Sequence, residues 1–312
     1  MALFFLVTGA GVLLAGVVGA VVLARVRADA TVRGVVDRLQ AASTAPPAAE
    51  VRLSTLDDCP PPVRRYFERV LPDGQPAVVT VHLRQNGRFR AAAADADAWS
   101  DFTATQHVST APPGFVWDAS IEMMRWVPVR VMDAYVEGRG RLQARIGDVL
   151  TIVDPPRSPA LNEGELLRYL GEAPLYPTAL LPAMGVRWTP VDDRSARATL
   201  IDGDTTASLL FHFNDRDEVE RVSGWRPFLR PDGASEARPW TGRWGDYARH
   251  GGLWVPTRGE VAWGPPGRER AYWTGRIERL DYEFAFPSAR SGLLREPRGP
   301  DSPRDGGAPR SP

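Results

Sequence analysis

The chain has 312 residues, with 38 basic and 38 acidic side chains and no formal net charge. No basic stripe or patch stands out along it, so the composition argues against nucleic acid as a partner. A single cysteine, Cys59, rules out an internal disulfide framework, and ten tryptophans point to a thick core or to an aromatic lining for an apolar ligand.

Ala2 to Ala24 carries no charge and is rich in Leu, Val, Phe, Gly and Ala, enough as a helix to cross about 30 Å of hydrocarbon. Nothing basic precedes Phe4, so the segment reads as an uncleaved anchor rather than a signal peptide. Arg25, Arg27, Arg33 and Arg38 follow it, a bias that would put the body in the cytoplasm. Val32, Val35, Val36 and Leu39 are helically spaced and continue the anchor, whereas Ala41 to Glu50 has the small residues and proline of a linker. The organisation expected is an anchor over 1–24, a helical or linker segment over 25–55, a β domain over 56–287 and a disordered tail over 288–312.

Pro60-Pro61-Pro62 introduces a helix carrying Val63, Phe67 and Val70 on one face, which ends at Pro72-Asp73-Gly74. Strands then take over. Val79, Val81 and Leu83 alternate with polar residues, and Asn86-Gly87 is predicted as a hairpin turn. Phe115, Trp117, Ala119, Ile121 and Met123 form the clearest alternating strand, followed by strands over 127–136 and 140–153. After residue 182, further strands are predicted over 185–191, 196–201, 205–214, 219–229, 240–247, 253–263 and 270–286. Turns recur at short intervals without long crossover helices, so the pattern is an antiparallel meander of roughly ten to twelve strands, too large to stay flat.

Asn162 to Pro182 is the one helical passage between the two runs of strands. Asn162 is the expected N-cap, Leu166, Tyr169 and Leu170 form an apolar face, and Glu165, Arg168 and Glu172 line an adjoining charged one. Pro177 suits the start of a second helical turn carrying Ala179, Leu180 and Leu181. A curled sheet leaves a hollow, and this passage is the obvious filler.

His82, His107, His212 and His250 are dispersed, with no metal-ligand spacing, and no nucleophile elbow or phosphate-cradling glycine motif occurs. Asp118, Glu122, Asp133, Glu165, Glu172 and Glu260 allow an acid and base pair, against the plainer expectation that they pair with arginines such as Arg125, Arg130, Arg168, Arg226 and Arg258. An Asp118 or Glu172 facing an open cleft without arginine would favour the first.

Pro62-Val63-Arg64-Arg65-Tyr66-Phe67, Trp99 to Gln106, Phe115-Val116-Trp117-Asp118-Ala119, Asp133 to Gly140, Gly164 to Pro182, Pro239-Trp240 and Leu253-Trp254-Val255-Pro256, with Glu260 and Trp263, together resemble an uncharacterised bacterial family of domains of unknown function. The resemblance runs from about Leu56 to Phe284 and implies no activity. The layout is similar in turn to the LolA-like lipoprotein-carrier architecture, an unclosed barrel over an apolar cavity. That analogy implies an extracytoplasmic body, against the arginine bias.

The fold expected is therefore mainly β within the α+β class: a large curled antiparallel sheet or half-barrel plugged by short helices, behind an N-terminal transmembrane helix. The function expected is a membrane-anchored module, a binder more than an enzyme, that takes a lipid or other apolar small molecule into the concave cavity without cofactor or metal. The alternatives are a carboxylate-dependent hydrolase and a non-catalytic envelope domain. Trp117, Leu166, Tyr169, Leu170, Tyr176, Leu180, Phe211, Phe213, Trp225 and Trp263 are the expected cavity lining, and Asp118, Glu165, Arg168, Glu172 and Glu260 the expected ion-pair residues.

Overall fold

Period-two alternation carries directly into one sheet, because a strand presents successive side chains to opposite faces. The structure is a computed structural model describing residues 2–90, 98–124, 127–230 and 234–285; side chains at 2–15, 17 and 124 lie outside that description. The first run of strands is β1 (Val78–Phe89), β2 (Ser100–Thr110), β3 (Pro113–Met124), β4 (Val127–Val136), β5 (Arg139–Ile146) and β6 (Leu150–Val153). The second is β7 (Arg187–Asp192), β8 (Ser195–Asp202), β9 (Thr205–Phe213), β10 (Val219–Leu229), β11 (Ser235–His250), β12 (Leu253–Trp263) and β13 (Arg270–Phe284). Each run is an antiparallel meander, and they join where β13 pairs with β1, giving one 13-stranded sheet from β6 at one edge to β7 at the other.

The sheet curls without closing. Helix α3 (Pro159–Glu172) fills the gap, packed on β5 from one end of the sheet and on β9 and β10 from the other. Gly140 brings β5 within reach of the plug: a Cβ there would lie 2.7 Å from the Leu161 carbonyl oxygen. The Gly140 N–H donates to Asn162 Oδ1 at 2.8 Å, and Tyr135 of β4 donates to Asp202 of β8 at 2.8 Å across the same gap. Asn162 is thus a tie between plug and sheet rather than the N-cap. That role belongs to Ser158, whose hydroxyl accepts from Leu161 N–H at 3.2 Å, with Pro159 at the first helical position.

Helix α2 (Pro61–Val70) closes one end of the inner face with Val63, Tyr66, Phe67 and Val70 fully buried. Val51 and Leu56 join the same core, so the chain before α2 is already part of the body. On the outer face, α1 (Ala2–Ala42) lays Val35 and Leu39 against Val116, Met132, Ala134 and Val136. The helix runs unbroken through the stretch expected to be an anchor, yet among the described residues no helix is long and apolar enough to cross a membrane. Arg125, Trp126, residues 231–233 and the expected tail over 288–312 lie outside the described residues.

Two strand boundaries differ from expectation for physical reasons. Asn86-Gly87 is not a hairpin but the middle of β1, paired on both sides. Gly87 is there because β13 runs close: a Cβ would lie 2.7 Å from Gly275 Cα and inside contact distance of the Thr274 carbonyl. Conversely, residues 140–153 form two strands, because Gly147 and Asp148, at φ +56° and +62°, turn the chain between β5 and β6. Gly87→Ala should therefore destabilise the protein by about 2 kcal/mol or more through forced separation of β1 and β13. Urea unfolding measures this, and an unchanged midpoint would show that the sheet tolerates the wider spacing.

Candidate functional site

The inner faces of the central strands carry an unusual density of rings. Phe89, Trp117, Trp240, Trp244, Tyr272 and Trp273 converge with Val131, Leu142 and Val261 around a cavity of about 160 Å³, roofed by Arg168, Gly171 and Glu172 of α3. Strand phase explains the grouping, since Trp117 stands opposite both Gln106 and Asp133, and Phe89 opposite Trp273. The rings are pinned at their polar tips. Trp117 Nε1 donates to Gln85 Oε1 at 2.9 Å, Trp244 Nε1 to the Gly171 carbonyl at 3.1 Å, and Trp240 Nε1 to the Tyr272 hydroxyl at 3.3 Å.

Charge enters from the plug. Arg168 donates to Asp133 Oδ2 at 2.5 Å and to Glu172 Oε1 at 2.7 Å, with its guanidinium 4.8 Å from the Trp117 ring centre. Gln106 Nε2 holds the other Glu172 oxygen at 2.7 Å. Arg226 of β10 donates to the Gly164 carbonyl at 3.0 Å and lies 3.5 Å from Glu165. Burial above all, and then the Asp133 charge, pushes the Glu165 carboxyl well above its ordinary 4.5, against the opposing pull of Arg226 and Arg168. Asp133 Oδ1, Glu165 Oε2 and Gln106 Oε1 are buried without a hydrogen-bond partner. Two arginines, Arg168 and Arg226, thus meet three carboxyl groups, Asp133, Glu165 and Glu172.

Beside this cavity the sheet parts. Pairing of β9 with β10 runs from Phe213 and Val219 only to Leu210 and Ser223, although β8 stays paired with β9 and β10 with β11 beyond that level. The opening is a cleft of about 1030 Å³ bordered by Glu163, Leu167, Ser208, Trp225 and Trp240. Trp240 borders both spaces.

Residues 57–282 match a family of unknown function, DUF6920. The chain is a member of that family. The matched span agrees with the stretch whose motifs carry the resemblance noted above. No curated protein matches this DUF6920 chain. Among solved structures it is similar to a LolA-superfamily protein of Nitrosomonas europaea, at 11% identity and a TM-score of 0.35 over 75% of this chain and 94% of that one. It is also similar to a DUF1329-family protein of Desulfovibrio piger, at 9% identity and a TM-score of 0.39 over 73% and 93%.

In this DUF6920 protein the expected lining divides. Trp117 borders the cavity, and Trp263 stands next to it, stacked on Tyr272 at 5.8 Å. Leu166, Tyr169, Leu170, Tyr176 and Leu180 are instead packed in the solid core between plug and sheet, as are Phe211 and Phe213. Tyr176 donates to the Tyr169 carbonyl at 2.8 Å, so these side chains hold the plug together rather than facing a void. Trp225 points outward, 63% exposed, at the cleft. Gln85, Trp244, Tyr272 and Trp273 were missing from the expected lining; the phase of β1 against β13 is the signal that would have placed Trp273 with Phe89.

Glu165, Arg168 and Glu172 form ion pairs around the cavity, and Glu260 pairs with Arg243 at 3.4 Å on its border. Asp118 lies on the outer face, where Arg130 binds it through two nitrogens at 2.8 Å and also reaches Asp29 of α1. Neither Glu172 nor Asp118 faces a cleft without arginine. His82 and His107 stack at 4.6 Å on the outer face, and burial pushes His107 below its ordinary value. Among the described residues no group of three or more His, Cys, Asp or Glu is placed to hold a metal ion.

Arg168→Met should cost about 3–5 kcal/mol, because it strands Asp133 and Glu172 in a site where both are largely shielded. Urea titration gives the number, and a loss below about 1 kcal/mol would mean that water already solvates the pair. Glu165 provides a pH test. Its folded-state affinity for the proton exceeds that of the unfolded chain, so its contribution is complete below 4.5 and is lost as pH rises toward the folded value. Stability of the native chain should therefore fall, relative to Glu165→Gln, as pH rises above 4.5. Parallel curves for the two proteins would place an ionised Glu165 in the core.

Proposed function

We propose that the protein is a membrane-associated binding module that takes the end of an apolar or amphiphilic small molecule into the aromatic-walled cavity. The observation that carries this reading is the cavity itself, in which rings fixed by hydrogen bonds stand beneath the Arg168–Glu172 roof, with Asp133 on the wall. Its volume of about 160 Å³ admits part of a ligand, with the remainder lying outside. A hydroxyl or amide on the bound end would donate to Asp133 Oδ1, which has no hydrogen-bond partner. Membrane association is supported by the uncharged sequence from Ala2 to Ala24 and by the exposed Val18, Val21, Val22, Leu23 and Val26 on α1.

Organic extraction of the purified full chain followed by mass spectrometry tests the reading. A near-stoichiometric apolar or amphiphilic molecule should accompany the native protein and be lost from Val131→Trp, which fills the cavity. Equal amounts in both extracts, or none in either, would refute it.

A further inference from the structure

Resting on the anchor reading above, we propose that the rim formed by the β5–β6 hairpin and the adjoining ends of β3 and β4, at Met123 and Val127, is a second membrane contact, immersed in the bilayer beside α1. Four apolar side chains run through the β5–β6 turn and β6 with little cover: Val149, Leu150, Ile152 and Val153, with Leu150 at 59% and Ile152 at 49% exposure. Met123 and Val127, exposed at the end of β3 and the start of β4, extend the patch. The two hairpins are one surface, because the Gly147 N–H donates to the Pro128 carbonyl at 3.0 Å. An uncovered apolar edge of this kind on a soluble surface is a liability.

The course of α1 decides what covers it. Leu39 and Val35 pack on β3 and β4 near Val116 and Ala134, and Asp29 reaches Arg130 at the level of Asp118, so the helix ascends along β3 as it is followed toward its N-terminus. From Asp118 to Met123 a strand rises about 17 Å, which equals about eleven helical residues and brings position 18 level with Met123. The exposed stretch from Val18 to Val26 thus flanks the apolar rim, and about 22 Å of uncharged helix, from Ala2 to Gly16, continues beyond it. A bilayer that receives this helix reaches the rim at the same depth. Arg25 and Arg27 sit just body-ward of the apolar helix, where lipid phosphates would meet them.

The experiment uses the full chain with Cys59→Ser, reconstituted in phosphatidylcholine vesicles containing phosphatidylglycerol and carrying one environment-sensitive label. Labels go at Val22→Cys on the helix, Val127→Cys and Leu150→Cys on the rim, and Val191→Cys at the opposite end, near the turn where Arg65 holds the Asp193 carbonyl. Quenchers attached to the lipid acyl chains should quench positions 22, 127 and 150 at least about twofold more than position 191. Quenching at 22 but not at 127 and 150 overturns the rim contact while leaving the anchor intact. An unquenched position 22 overturns both. Quenching at 150 that follows the protein-to-lipid ratio instead of the quencher assigns the rim to a second copy of the chain and also overturns the proposal.

Discussion

The fold depends on what α3 does to an open sheet. Thirteen curled strands leave an apolar inner face and two unpaired edges, and both would associate with other chains if left bare. One helix covers the inner face and spans the gap between β5 and β9 with its leucines inward, while β6 and β7 remain exposed. Its contact with β5 is backbone on backbone, through Gly140 and the Leu161 carbonyl, which fixes the helix more narrowly than side-chain packing alone would.

The charged half of the same helix explains why the inner face is not packed throughout. Arg168 and Glu172 lie on the side that meets β3 and β4, and Asp133 of β4 and Gln106 of β2 project to meet them. Burying such a network is no gain over a hydrophobic substitute, since desolvation offsets most of the attraction. It does fix geometry: Arg168 is directed by two carboxylates and lies over two rings, so the side chains around the cavity cannot collapse inward without breaking charged hydrogen bonds. Burial, and then the Asp133 charge, raise the Glu165 carboxyl well above its ordinary value in the same network.

Legibility in the sequence followed the physics of each feature. The strands of the second run were readable because turn residues and alternation coincide there, and β10 and β12 begin and end where the pattern places them. Gly87 misled because a glycine demanded by a neighbouring backbone looks the same in sequence as one demanded by a turn. The plug was readable as a helix filling the hollow, but the degree of filling was not. Leu166, Tyr169 and Leu170 mark a face that is buried, and no periodicity distinguishes burial against side chains from burial around a void. Rings from strands far apart in sequence, such as Trp117, Trp244 and Trp273, meet only once the register of every intervening strand is known.

Size constrains the proposed ligand most sharply. Sites that enclose whole small molecules measure roughly 300–1,000 Å³, and the cavity at about 160 Å³ falls below that range. The larger space lies on the far side of Trp240, where β9 and β10 part. Trp240 borders both, hydrogen-bonded to Tyr272, 5.6 Å from the Arg226 guanidinium and packed closely against Gly171 and Gly242. A ligand spanning both spaces would have to displace that buried ring, so the bound end of the proposed ligand is confined to the space under Arg168.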